Sequence, residues 1–137
     1  MKITRKNILM ILLAGSLGFI WINSMLTANV SGGMSSQLGR LIASIFGDTF
    51  ITDGILRKFA HALEFSVLGT ILSLLLYDVL KDKLTLVALC GLSSAFIDET
   101  IQMFTPGRSA QIRDMWIDLL GFSCAVGIVF YTRYRKK

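Results

Sequence analysis

Residues 98–118 read DETIQMFTPGRSAQIRDMWID, and this stretch decides how the chain is organised. It gathers Asp98, Glu99, Arg108, Arg113, Asp114 and Asp118 between two uncharged segments, LTLVALCGLSSAFI at 84–97 and LLGFSCAVGIVFY at 119–131. Charges at the ends of membrane-length segments are costly in lipid, so they mark either function or tight pairing. A second cluster, Arg57, Lys58, His61 and Glu64, opens another apolar segment. The two clusters are expected to meet at one membrane face.

Composition agrees. The chain has 137 residues, room for one domain, with 53% hydrophobic residues, one proline and a mean hydropathy of +0.64. That apolar share exceeds the soluble norm and indicates an integral membrane protein. The net charge of +5 does not point to nucleic acid, because the cations sit at segment ends rather than in one patch. Cys90 and Cys124 lie in apolar segments without C-x-x-C spacing, and are expected to be buried free thiols.

An all-α bundle of four transmembrane helices follows, spanning about 7–26, 59–80, 84–104 and 115–132, each long enough to cross a bilayer. The first span has a basic start, as a signal peptide would. Its apolar run is long for one, and the residues near Thr27 and Ala28 make a poor cleavage site. Residues 27–56 form a long connection, rich in Ser and Gly at first. Within it Leu38, Leu41, Ile42, Ile45 and Phe46 recur at helical spacing, which predicts a short interfacial helix between the first and second spans.

Nine Lys/Arg (Lys2, Arg5, Lys6, Lys81, Lys83, Arg133, Arg135, Lys136 and Lys137) flank the termini and the 81–83 turn. Five (Arg40, Arg57, Lys58, Arg108 and Arg113) occupy the other connections. The positive-inside rule then places both termini in the cytoplasm and both charged clusters on the extracytoplasmic side.

Helical periodicity sets the facing. At about 100° per residue, Arg57, His61, Glu64 and Leu68 share one stripe. Gly91, Ser94, Ala95, Asp98 and Gln102 share another, and Asp114, Asp118, Gly121 and Ala125 a third. Small residues below the polar ones favour close helix contact, so all three stripes should point into the bundle. A rise of about 1.5 Å per residue puts the polar groups roughly 3–8 Å below the outer boundary. Thr105-Pro106-Gly107-Arg108 has the order of a type II turn, which would hold Arg108 over this layer with few packing contacts of its own.

Arg57-Lys58-x-x-His61-x-x-Glu64-Phe65, then Asp98-Glu99-x-x-Gln102, Pro106-Gly107-Arg108, Asp114 and Gly121, resemble the ordered motifs of the VanZ family. The resemblance covers roughly 20–130, and the Ser-bearing stretch with Ser24, Ser31 and Ser35 is similar too. It implies a small multi-span bacterial membrane protein of a family named for a member linked to teicoplanin resistance. Phe65 stands where Tyr is usual, and Asp118 where Asn is usual; the second change adds a carboxylate.

Three readings compete. The leading one is a binding protein whose pocket takes a membrane lipid or lipid-linked envelope precursor with an anionic headgroup. Its ligand-binding set is Arg57, Lys58, His61, Glu64, Asp98, Glu99, Gln102, Arg108, Asp114 and Asp118, with the arginines suited to phosphate or carboxylate. The alternative is an intramembrane enzyme in which His61, Glu64, Asp98 and Glu99 act as acid and base or ligate a divalent metal. A lone histidine and no nucleophile motif weigh against it, and no specific motif calls for a cofactor. The third is a self-neutralised network that only locks helices together.

Overall fold

A computed structural model describes residues 4–46, 53–77 and 79–135. Lys2, Lys136 and Lys137 of the orientation count, and the side chains of Lys81, Ile45 and Phe46, lie outside the described residues. Five helices follow one another: α1 (Arg5–Ser24), α2 (Ala28–Phe46), α3 (Asp53–Leu75), α4 (Leu84–Met103) and α5 (Ile112–Tyr134). A single 3₁₀ turn, Lys81–Lys83, precedes α4. Four are long and apolar enough to cross a membrane: Arg5–Ser24, Gly54–Leu75, Leu84–Met103 and Ile112–Tyr134. The chain is a multi-pass membrane protein.

Several helix bounds depart from the sequence expectation: α3 ends at Leu75 rather than 80, α5 starts at Ile112 rather than 115, and two further shifts bear on the site. α3 starts at Asp53 rather than 59, because Arg57 and Lys58 sit inside the helix instead of ending it. His61 therefore lies about 10 Å, and Glu64 about 15 Å, along the helix from Gly54 rather than in its first turns. α2 is not short. It takes in the whole Ser/Gly stretch and runs for 19 residues. Those residues are weak helix formers, but the hydroxyls of Ser35 and Ser36 donate back to the carbonyls of Ser31 and Gly32 at 3.1 and 2.9 Å. The start is tied down as well, since the Ala28 N–H donates to the Pro106 carbonyl at 3.3 Å.

The bundle is built on α3 against α5, with α1 and α4 beside them. Ile20, Phe65, Leu68, Val87, Ala95, Phe122 and Val129 form its core. Ile11, Phe19, Phe59, Phe96, Leu120 and Ile128 are exposed on the outside, as lipid-facing positions should be. Tight contacts fall at glycines. A Cβ on Gly69 would come within 2.7 Å of the Phe122 carbonyl, and one on Gly91 within 2.6 Å of the Phe122 ring. The Ser66 hydroxyl bridges α3 to α5 by donating to the Gly121 carbonyl at 2.9 Å.

The two ends differ. At one, the Arg133 guanidinium stacks over Tyr77 at 4.1 Å, near the 3₁₀ turn and both chain ends. At the other, the C-termini of α1 and α4 meet the N-termini of α3 and α5, with α2 lying against α3. Both cysteines are free, and Cys124 is exposed rather than buried, on the lipid side of α5.

Candidate functional site

Sequence and structure converge on the α2 end. The three expected stripes do point inward: His61, Leu68, Gly91, Ala95, Asp98, Gln102, Asp118, Gly121 and Ala125 are all buried. A polar cavity of about 70 Å³ opens there between α3, α5 and the turn joining α4 to α5. Arg57, Lys58, His61, Gln102, Arg108, Asp114 and Asp118 line it, so seven of the ten residues expected to bind a ligand share one wall.

The other three have different settings. Asp98 lies beneath the cavity, 0% exposed, and accepts from the Ser24 hydroxyl on α1 and from Gln102 Nε2 at 2.6 Å. Glu64 faces α1, where its Oε1 accepts from Asn23 Nδ2 at 2.8 Å. Glu99 turns towards α5 and accepts the Gln111 backbone N–H at 2.6 Å, at the helix N-cap. A carboxylate there satisfies an orphan donor and complements the helix dipole. Arg113 is exposed to the outside.

The turn has the expected geometry. Gly107 has φ 76°, and the Arg108 N–H donates to the Thr105 carbonyl at 3.1 Å. A positive φ at the third position is what a type II turn requires of glycine. Arg108, however, is not held free above the site. Its Nη1 donates to the Asn23 and Ser24 carbonyls at 3.3 and 3.2 Å, and its Nη2 to the Ser31 hydroxyl at 3.3 Å. Thr105 Oγ1 donates to the same Ser24 carbonyl at 3.1 Å. The last carbonyls of α1 have no partner within their own helix, and a cation is favoured there. Arg108 thus clasps α1 to α2 while showing one edge to the cavity. Burial, and next the nearby Arg57, lowers its pKa from the usual guanidinium value, while Asp98, Glu99 and Glu64 act in the opposite direction.

Arg108→Ala should therefore destabilise the protein by about 1.5–3 kcal/mol, the range for hydrogen bonds to a charged group. Arg108→Lys should recover only part of that, because one ammonium cannot span three acceptors in the planar fork. Thermal melting in detergent measures both. Wild-type melting of Arg108→Ala would show that the clasp contributes nothing.

The remaining charges are unevenly matched. Lys58 Nζ pairs with Asp114 Oδ1 at 3.1 Å, partly exposed and so weakly stabilising. Arg57 has no hydrogen-bond or ion-pair partner among the described residues. At the cavity floor His61 Nδ1 lies 3.8 Å from Asp98 Oδ2 and 3.9 Å from Asp118 Oδ1. Each of the three residues offers one ligand atom within 4.8 Å of the other two, so the group could hold a metal ion. Neither Asp118 oxygen, nor His61 Nδ1, has a hydrogen-bond partner.

Asn23, Ser24, Ser31 and Thr105 were not among the expected site residues. The sequence carries a signal for the first two, polar residues closing an otherwise apolar span, but their partners are 41 and 74 residues away.

No curated protein and no solved structure matches the chain significantly. A family profile described as VanZ/LLP1 matches residues 7–134, which takes in α1 from its first turns, the whole polar layer and α5 to its end. With most of the motif's charged residues on one cavity and the profile spanning nearly the whole chain, the protein belongs to the VanZ/LLP1 family.

Proposed function

We propose that this protein binds the anionic headgroup of a membrane lipid or lipid-linked cell-envelope precursor, and through that contributes to teicoplanin-type resistance or envelope homeostasis. One observation carries the reading. Arg57 and His61 line both the polar cavity and a neighbouring groove of about 550 Å³. The groove is walled mainly by apolar side chains of α1, α2 and α3, among them Phe19, Ile22, Met34, Leu38 and Leu41. An unpaired guanidinium at the junction of a small polar cavity and a long apolar groove suits an amphiphile, with its oxyanion on Arg57 and its chain along the groove. The cavity has room for one small oxyanion group or a few waters.

Arg57 takes the leading cationic role, since Lys58 is paired and Arg108 is engaged with backbone. His61, Gln102, Asp114 and Asp118 shape the cavity, Asp98 supports them from below, and Glu64 borders the groove. The distribution of Lys and Arg supports cytoplasmic termini, which would open the cavity to the outside of the cell. A reporter fused within residues 81–83 is expected to behave as cytoplasmic and one within 105–109 as external. The reverse pattern would move the pocket to the inner face and contradict an envelope-side ligand. In cells, Arg57→Ala should abolish any protection against a lipoglycopeptide at unchanged membrane abundance, and full protection would count against the reading.

The second reading, an intramembrane enzyme acting on the same class of lipid, draws on the His61, Asp98 and Asp118 cluster under the cavity.

A further inference from the structure

We infer that His61 Nδ1, Asp98 Oδ2 and Asp118 Oδ1 form a binding site for one divalent transition cation at the floor of the polar cavity. Asp118 is the starting point. It is 1% exposed, lines the cavity, and has no hydrogen-bond donor at either oxygen. Buried polar groups are nearly always paired, and a carboxylate in a low-dielectric interior needs a donor, a proton or a cation. Among the described residues no donor stands within hydrogen-bonding distance of the Asp118 carboxylate. Asp98 Oδ2 is an acceptor, and His61 Nδ1 is likewise unpartnered, 3.9 Å away. His61, Asp98 and Asp118, from three helices, therefore each bring one ligand atom within 4.8 Å of the other two, and His61 Nδ1 offers its lone pair in the Nε2–H tautomer.

The spacing suits a metal with little movement. Metal–ligand distances of about 2.0–2.2 Å in tetrahedral geometry put ligand atoms about 3.4 Å apart. The His61 pairs stand at 3.8 and 3.9 Å, so each need close by only several tenths of an ångström. One imidazole nitrogen with two carboxylate oxygens favours zinc, manganese or ferrous iron over calcium or magnesium, which prefer oxygen shells. A supporting shell is present too. The Ser24 hydroxyl holds Asp98 Oδ1 and Gln102 Nε2 holds Oδ2, fixing the carboxylate as outer-shell partners of a metal ligand do. His61 and Asp118 both line the cavity, which gives access to the ion. Resting on the proposed headgroup function, an oxyanion at Arg57 would complete the coordination.

Full-length protein purified in mild detergent without chelator should hold about one equivalent of zinc, manganese or iron by elemental analysis. After chelator treatment, Co²⁺ alone should produce visible d–d absorption and raise the melting temperature. Asp118→Asn and His61→Gln should each weaken Co²⁺ binding by more than about 100-fold, beyond the 10–100-fold typical of outer-shell changes. Arg113→Gln, exposed outside the cavity, should leave binding intact. Should either ligand variant fail to fold, the wild-type titration decides by itself. Wild type with neither metal nor a Co²⁺ response would overturn the inference, leaving a proton or water to satisfy Asp118. Unchanged affinity in folded Asp118→Asn would overturn it as well. Wild type that retains a phosphate-bearing lipid without any metal would overturn the cation site and leave the headgroup function standing. Metal bound without lipid selectivity would do the reverse.

Discussion

Gly121→Ala should be the most damaging single-methyl addition in the protein, lowering stability by about 3 kcal/mol, the upper end for overpacking. A Cβ at 121 would run into the Ala62 carbonyl oxygen and approach its carbonyl carbon and Cα to 2.9 and 3.0 Å. All three are backbone atoms, so no side-chain rotation can relieve the clash, and α3 must move away from α5. That movement would also stretch the Ser66 bridge and separate His61 from Asp118. The gain in helix propensity from Gly to Ala, about 1 kcal/mol, is too small to offset it. A methyl group added at Gly15, Gly18 or Gly127 would meet nothing within 4 Å, so alanine there should be neutral or stabilising by up to about 1 kcal/mol. Melting of the four variants in one detergent separates close packing from a general effect of glycine. Equal melting across the set would contradict the α3–α5 contact.

Asp98→Ala should rank with it, at about 3–5 kcal/mol, as expected when one member of a buried charged network is deleted. Asp98 is 0% exposed and accepts from Ser24 and Gln102 while facing His61 at 3.8 Å. Its removal leaves the buried Gln102 amide without its acceptor, while the Ser24 hydroxyl keeps only the Ile20 carbonyl of its own helix at 3.0 Å. Ser24→Ala should cost less, about 1–1.5 kcal/mol, the net value of a neutral donor's bond. The double variant should melt close to Asp98→Ala alone, because the shared bond is lost only once. Additive losses would show that the two residues act independently.

The four spans are legible in the sequence because hydropathy needs no tertiary information. The polar layer is legible because helical periodicity places Asp98 with Gln102, Asp118 with Gly121, and His61 with Leu68. What stays hidden depends on neighbours distant in the chain. Arg57 and Lys58 suggest a helix boundary, although Lys58 has Asp114 beside it and the helix runs on. The Ser/Gly stretch argues against helix, yet the Ala28–Pro106 contact and packing on α3 hold it as the first half of α2, with the Ser35 and Ser36 hydroxyls satisfied by back-bonding. Arg108 does edge the cavity, but the carbonyls of Asn23 and Ser24 that engage it carry no local signal. Glu99 and Asp98 are adjacent in sequence, and helix geometry sends one to the α5 cap and the other to the cavity floor.

The most direct test of the headgroup function is native mass spectrometry of the full-length protein with a polyprenyl phosphate and the matching uncharged prenol. Wild type should retain the phosphate at least about tenfold more strongly than the prenol. Arg57→Ala should lose that preference while still holding both weakly through the groove. Equal retention of the two lipids by wild type, or an undiminished preference in Arg57→Ala, would contradict it.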